Sequence, residues 1–365
     1  MIDFNIEQVS SAYLSSKDAQ TLCQQLKSAL PALLVPVKKT LDVIISKLDS
    51  VDNQGILALG EELIRHGVAG SSGLEVELFA VFKEVFEIYV ARGDYRSAAN
   101  SLSKVGLQKD DCPVPLESRF KYLLNLITAF LELKESISCE PLLRKTHEIA
   151  SQVKDIDLQI QYNYCCGQYF DFGRKFLQSA YRYYEACNKH SEGSTSQEAL
   201  VEILSKAIDA TILSPTGSKK AFLIANLIKD ERAKQFKNYQ LLQKMARDVT
   251  ISNEEMGEFA QGLKNYQNIR EGDGFTTLEK VIFEHNILVF SKVYKDIRIE
   301  SLAKKIGVSG GDLESILQNM KNEEKIDIEI DHKTSSITFK RREGKHGVVR
   351  DSLAVFYHLL DTVQV

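Results

Sequence analysis

The period of the apolar residues changes once along this chain, and that change limits what the chain can fold into. Up to about residue 320 they recur at the three-and-four spacing of a helix, as in Leu200, Ile203, Leu204, Ala207 and Ile208, or Tyr162, Cys165, Cys166 and Tyr169. Near the far end the spacing becomes strictly two. Ile326, Ile328 and Ile330 alternate with Asp327 and Glu329, and Ile337 and Phe339 alternate with Ser336, Thr338 and Lys340. With only six prolines, the chain offers few places to break its helices. The reading is a mainly α protein with one late β-hairpin.

A weak repeat lies inside the helical part. Tyr95 is followed three and four positions on by Ala98 and Ala99, and Phe176 by Ser179 and Ala180. Between them Ser136 is followed by Cys139 and then Glu140, a degenerate copy. The copies stand about 40 residues apart, close to the period of helix–turn–helix solenoids. Small residues there let the second helix of each hairpin lie close to the first. The expected architecture is a TPR-like helical-repeat solenoid over residues 1–190 and a further helical segment over 191–275. The segment is entered through the loop Ser191-Glu192-Gly193-Ser194-Thr195-Ser196.

After Glu271-Gly272-Asp273-Gly274 the character changes. Thr276 and Glu279 form a capping box that opens a helix with Leu278, Val281, Ile282, His285, Leu288 and Val289 on one face. A short helix around Leu302 and Ile306 follows, then a third helix capped by Ser309 with Asp312 and bearing Leu313, Ile316, Leu317 and Met320. Three helices followed by a hairpin predict a winged helix over 276–341. Val349, Leu353, Phe356, Tyr357, Leu360 and Val363 stripe a last helix over 348–365.

Chemistry finds little support. The seven histidines are too scattered for a His-x-His zinc pair, and His147-Glu148 has Ser151 where a zincin helix needs its second histidine. His285 lies on an apolar stripe and is expected to satisfy a buried hydrogen bond. Gly272-Asp273-Gly274 is followed by Thr277 where a dinucleotide fingerprint needs glycine, and Gly217-Ser218-Lys219-Lys220 lacks P-loop spacing. The aromatics from Tyr162 to Tyr184 have core spacing rather than that of a base-stacking platform. No catalytic, cofactor or metal residue is expected, and the chain is read as a non-enzyme.

Neither the net charge of −4 nor the apolar runs point to nucleic acid or a bilayer. The runs Ala29–Val37 and Ala221–Ile228 are both far short of the ~20 residues a span needs. Met1-Ile2-Asp3-Phe4-Asn5 lacks a basic n-region, and six cysteines without a CxxC pair fit reduced, buried thiols. Cytoplasm and nucleus are the expected compartments. A winged helix raises DNA binding as a rival, but the third helix and its exit carry Asp312, Glu314, Glu323 and Glu324 against Lys321 and Lys325. The basic run Lys340, Arg341, Arg342, Lys345 and Arg350 is the best support for that rival.

Helical repeats followed by a winged helix resemble the PCI-domain subunits of the proteasome lid, the COP9 signalosome and translation initiation complexes. The stretches carrying the likeness begin with Asp94-Tyr95-Arg96-Ser97-Ala98-Ala99, then Arg174-Lys175-Phe176 with Ala180 and Arg182-Tyr183. Ala207 to Leu213 follow, then Lys229-Asp230-Glu231-Arg232 with Leu242 and Lys244-Met245, and finally Glu284-His285-Asn286. They are most similar to the signalosome subunit 4 family, ahead of the paralogous proteasome-lid subunit.

The resemblance implies a non-catalytic scaffold in a complex that removes a ubiquitin-like modifier from cullin-RING ligases, with the catalytic metal on another subunit. It also implies contacts with other signalosome subunits through winged-helix edges and a C-terminal helical bundle. The residues assigned to those contacts are Ile326, Ile328, Ile330, Ile337 and Phe339 on the hairpin and Leu353, Phe356, Tyr357 and Leu360 on the last helix.

Overall fold

The computed structural model describes residues 6–16, 18–30, 33–47, 51–69, 71, 73–105, 114–189, 196–332 and 334–340. The chain divides into two compact units, Met1–Tyr169 and Phe170–Val365. The first is entirely helical among its described residues: α1 (Ile6–Ser16), α2 (Ala19–Ala29), α3 (Leu34–Ile45), α4 (Asn53–Arg65), α5 (Glu75–Ala91), α6 (Tyr95–Ser103), α7 (Leu116–Glu132) and α8 (Ser136–Ala150). Helix α9 (Ile156–Phe172) runs from the first unit into the second. There follow α10 (Phe176–Asn188), α11 (Gln197–Leu213), α12 (Ser218–Lys229), α13 (Tyr239–Ala246) and α14 (Asn253–Gln261).

The repeat is written more clearly in the backbone than in the side chains. Helices α6, α8 and α10 begin at Tyr95, Ser136 and Phe176, the three repeat positions. Two residues before each start, the chain turns through a left-handed residue: Gly93 (φ 76°), Lys134 (φ 60°) and Arg174 (φ 56°). The next amide reaches back five residues in every copy, from Asp94 to the Tyr89 carbonyl (3.0 Å), Glu135 to Phe130 (3.0 Å) and Lys175 to Phe170 (2.8 Å). This is one helix-ending turn used three times. Past it, Ala98, Ala99, Cys139, Ser179 and Ala180 are all fully buried, so each second helix approaches its neighbours at a site with almost no side chain. Helix α6 packs on both α5 and α7, and α7 on α8.

Of the aromatics of α9 and α10, Tyr162, Phe176 and Tyr183 are buried and the others half-buried. Tyr162 lies 5.7 Å from Phe120 between ring centroids, and Tyr183 is 2% exposed. Cys23, Cys139, Cys165, Cys166 and Cys187 are buried free thiols, with burial pushing Cys165 up to about 12. No helix among the described residues is long and apolar enough to cross a membrane.

The second unit ends, among its described residues, in three helices and a small sheet. These are α15 (Thr277–Val293), β1 (Asp296–Arg298), α16 (Ile299–Ile306), α17 (Gly310–Asn322), β2 (Ile328–Asp331) and β3 (Ser336–Phe339). The sheet is antiparallel in the order β1–β3–β2. The two capping signals are both present. The Thr276 hydroxyl accepts from the Glu279 amide at 3.2 Å while the Glu279 carboxylate accepts from the Thr276 amide at 2.7 Å. Ser309 accepts from the Asp312 amide at 3.2 Å. Leu302, Ile306, Leu313, Leu317 and Met320 from the helices meet Ile328, Ile337 and Phe339 from the sheet in one core. The order of elements is that of a winged helix. Strand β1 has no counterpart in the sequence reading, because three residues are too few for an alternation to be seen.

Candidate protein-interaction edge of the winged helix

In the triplet Glu284-His285-Asn286 at the middle of α15, His285 and Asn286 tie the winged helix to the segment before it, and Glu284 ties α15 to the exit of α17. Asn286 is buried and grips Ile251 at both backbone groups, accepting from its amide at 2.9 Å and donating to its carbonyl at 2.8 Å. His285 places Nε2 2.9 Å from the Val249 carbonyl. A carbonyl only accepts, so this nitrogen carries the proton. Burial lowers the His285 pKa, although the bond to Val249 works the other way. Glu284 accepts two bonds from Lys325, at 2.9 and 2.8 Å, beyond the exit of α17. The three neighbours thus hold two different segments against one helix.

A buried lysine closes the end of α11. Lys220 is 5% exposed and donates to the carbonyls of Ile212 and Ser214, each at 2.8 Å. Burial lowers its pKa to about 7. The Gly217-Ser218-Lys219-Lys220 run therefore caps a helix with its own lysine instead of reaching for a phosphate. His147 has its Nδ1 2.9 Å from the Tyr162 hydroxyl. Among the described residues no group of three or more His, Cys, Asp or Glu is arranged to hold a metal ion.

The hairpin residues chosen from the sequence fall into two classes. Ile326, Ile328, Ile337 and Phe339 are buried in the domain's own core, between 0% and 6% exposed. Ile330 is half-buried against the same cluster. Their side chains pack inward, and what the hairpin presents outward is backbone. Strand β3 lies in the middle of the sheet, so its amides are taken on both sides: Phe339 donates to Lys295 at 2.8 Å and Lys340 to Asp327 at 2.9 Å. Alternation along an antiparallel pair then turns Asp327, Glu329 and Asp331 toward β3. The amide and carbonyl groups of Ile328 and Ile330 face away from it. Thr338 sits on the central strand, its hydroxyl donating to Asp296 at 2.7 Å, and belongs to no free edge. Leu353, Phe356, Tyr357 and Leu360 lie outside the described residues, as does the basic run beyond Lys340.

Electrostatically the outer edge is acidic. Glu329 and Asp331 are exposed on β2, Glu323 and Glu324 at the exit of α17, and Asp312 at its start. The cations that would offset them are engaged. Lys340 pairs with Glu329, and Lys325 is held between Glu284 and Glu323. Burial works against the charge on Lys325, but its hydrogen bonds to those two carboxylates outweigh this and raise its pKa. Of the two lysines near the third helix only Lys321 stays exposed, a poor start for holding phosphates.

Comparison with known proteins places both halves. The family described as PSMD12/CSN4, N-terminal, matches residues 7–193, and the PCI domain matches residues 242–341. The chain is similar to "COP9 signalosome complex subunit 4" of Drosophila melanogaster, 28% identical over 256 residues, covering 70% of this chain and 62% of that protein. It is similar also to the proteins of that name from Arabidopsis thaliana, 26% identical over 270 residues (73% of this chain, 68% of that one), and from Dictyostelium discoideum, 28% over 254 residues (70% and 64%). The match thus spans just under two thirds of the Drosophila protein's length. The first match takes in the repeat hairpins α5 to α10 and the second takes in the winged helix with its Glu284-His285-Asn286 clamp, and the chain accordingly belongs to the PSMD12/CSN4 family and carries a PCI domain.

Proposed function

We propose that this chain is a non-catalytic scaffold subunit of the COP9 signalosome, supporting removal of the ubiquitin-like modifier from cullin-RING ligases by another subunit. The observation carrying this reading is that this chain matches both the PSMD12/CSN4 N-terminal family and the PCI domain and is similar to proteins named COP9 signalosome complex subunit 4 from Drosophila melanogaster and Arabidopsis thaliana. The acidic, cation-poor third helix and the outward backbone of Ile328 and Ile330 support an assembly role over a nucleic-acid role. In this reading residues 1–190 are repeats facing the ligase, 191–275 the helical part of the PCI domain, and 276–341 the winged helix. Residues 348–365 are an assembly helix whose Leu353, Phe356, Tyr357 and Leu360 enter a shared bundle. The protein works in cytoplasm and nucleus with no metal or cofactor of its own.

Co-purification followed by mass spectrometry tests the assignment. The expected outcome is recovery of the other signalosome subunits; recovery of lid subunits instead would move the chain to the paralogous complex. The edge is tested by Ile330→Pro, which deletes an outward donor at a half-buried position while keeping the bonds between β2 and β3. Partner recovery should fall with helical content unchanged. Thr338→Pro is the contrasting variant, since it breaks the domain's own sheet. Leu353→Glu with Leu360→Glu tests the last helix in the same assay.

A further inference from the structure

The corner formed by the end of α15, β1 and α16 has a chemistry that the scaffold reading leaves unused. Val293 is 71% exposed, far more than a valine that packs within its own domain. Near it, Phe290 of α15 and Tyr294 just past the helix end lie 6.2 Å apart between ring centroids. Lys305 of α16 stands over both rings, its Nζ 5.8 Å from Phe290 and 5.9 Å from Tyr294. This contact holds a long side chain in place and leaves its charge in solvent. Lys295 is anchored where the sheet begins, its carbonyl accepting from Phe339 at 2.8 Å. Lys295, Arg298 and Lys304 are exposed as well.

Among the described residues no carboxylate lies within ion-pair distance of Lys295, Arg298, Lys304 or Lys305. The neighbouring acids are partly engaged: Asp248 pairs with Lys292, and Asp296 accepts from Thr338. Glu300 remains. The corner is thus basic with an apolar centre, in a domain whose opposite features, the α17 exit and β2, are acidic.

We propose that this corner docks an acidic peptide segment of a partner protein, one apolar side chain resting on Val293 and its flanking carboxylates meeting Lys295, Lys304 and Lys305. Charge selects this occupant. The chain's own residues 341–365 carry Arg341, Arg342, Lys345 and Arg350 against Glu343, Asp351 and Asp361, and so bring the wrong sign. Nucleic acid fits less well, since Lys305 already covers the Phe290 and Tyr294 rings and a bare Val293 offers nothing to a base. The site uses other elements than the β2 edge, and stands whether or not the signalosome assignment does.

The test is fluorescence anisotropy on the full chain with a fluorescein-labelled nonapeptide, a leucine flanked on each side by alternating aspartates and glutamates. Saturable binding that weakens with salt is expected. Lys304→Glu with Lys305→Glu should weaken it by about tenfold or more. Val293→Ser should weaken it several-fold, with no further loss when the probe's leucine is also replaced by serine. Lys321→Glu on α17 should leave it unchanged. If the charge-reversed variant melts early by circular dichroism, Lys304→Gln with Lys305→Gln replaces it. Absence of binding up to millimolar protein would overturn the proposal, as would binding indifferent to these substitutions. It would also be overturned if only single-stranded RNA, or a second copy of the chain, were bound through these residues.

Discussion

The repeat hairpins and the winged helix solve the same problem, holding one helix against the next, by opposite means. In the hairpins the fixed quantity is backbone: one left-handed turn at residues 93, 134 and 174, and small side chains just after it. Glycine, lysine and arginine occupy the turn in its three copies, so the turn itself does not depend on the side chain there. At the winged helix the fixed quantity is side chain. Asn286 reads both backbone groups of Ile251, and no other residue type presents an acceptor and a donor at that geometry. A backbone solution tolerates sequence drift, whereas a side-chain solution does not.

The sharpest way to break the comparison is Asn286→Leu. It leaves the amide and carbonyl of Ile251 buried without their partner, each worth roughly 1–3 kcal/mol, so a loss of about 3 kcal/mol or more is expected. Denaturant titration should show the second unit losing stability while signals from the first stay in place. A uniform loss across both units would mean that the clamp does not act locally.

Next comes the small-residue contact of the repeats. Ala98→Leu adds three carbons where the structure leaves no exposure, and overpacking of this kind costs typically 1–3 kcal/mol. The same change at exposed Asn100 on that helix should be nearly neutral. Equal costs at the two positions would show that helix propensity, not close approach, sets the repeat.

The left-handed turns give a smaller effect that differs between two copies. Lys134 is exposed, and Lys134→Gly should relieve backbone strain and stabilise the chain by up to about 1 kcal/mol. Arg174 shares that conformation but donates to Glu271 at 2.9 Å and to Thr277 at 2.5 Å, binding the entry of α15. Arg174→Gly should therefore stabilise less or destabilise. Thermal melts of the two variants decide the matter.

These contrasts also explain what could be read from the sequence. Helix against strand was legible because the apolar period is long and clean, and the winged helix followed from three helices, two of them opened by capping signals, ahead of the alternating hairpin. The middle repeat copy looked degenerate because Glu140 breaks the small-residue pair, yet Cys139 alone suffices: Glu140 is exposed and only Cys139 faces inward. The hairpin was legible as an apolar face, Ile328, Ile337 and Phe339, laid on the helices with one edge left unpaired, but not as to which strand carries that edge. Which strand lies in the middle depends on β1, a three-residue strand set by tertiary pairing. The acidity of the α17 exit was visible, but the withdrawal of Lys325 into a pair with Glu284 was not, since the two are far apart in sequence.

The smallest expected effect separates two titrating groups of the second unit, buried His285 and half-buried Asp209, by the sign of their pH dependence. Burial lowers His285, so its contribution to stability is present above its unfolded value near 6.5 and is lost as the pH falls toward its lower folded value. Asp209 behaves in reverse. Burial, with some help from Asp171, raises its pKa to about 6 against the hydrogen bond that Asn238 donates at 2.6 Å. Its contribution is therefore full below the unfolded value near 3.8 and disappears as the pH rises through about 6. Between pH 4 and 6.5 the two slopes oppose each other, and the wild type should show a shallow profile by denaturant titration. His285→Gln, which can still donate to the Val249 carbonyl, should leave a profile that gains stability on acidification. Asp209→Asn should leave one that loses it. Parallel profiles for the two variants would show that neither group titrates in this window in the folded protein.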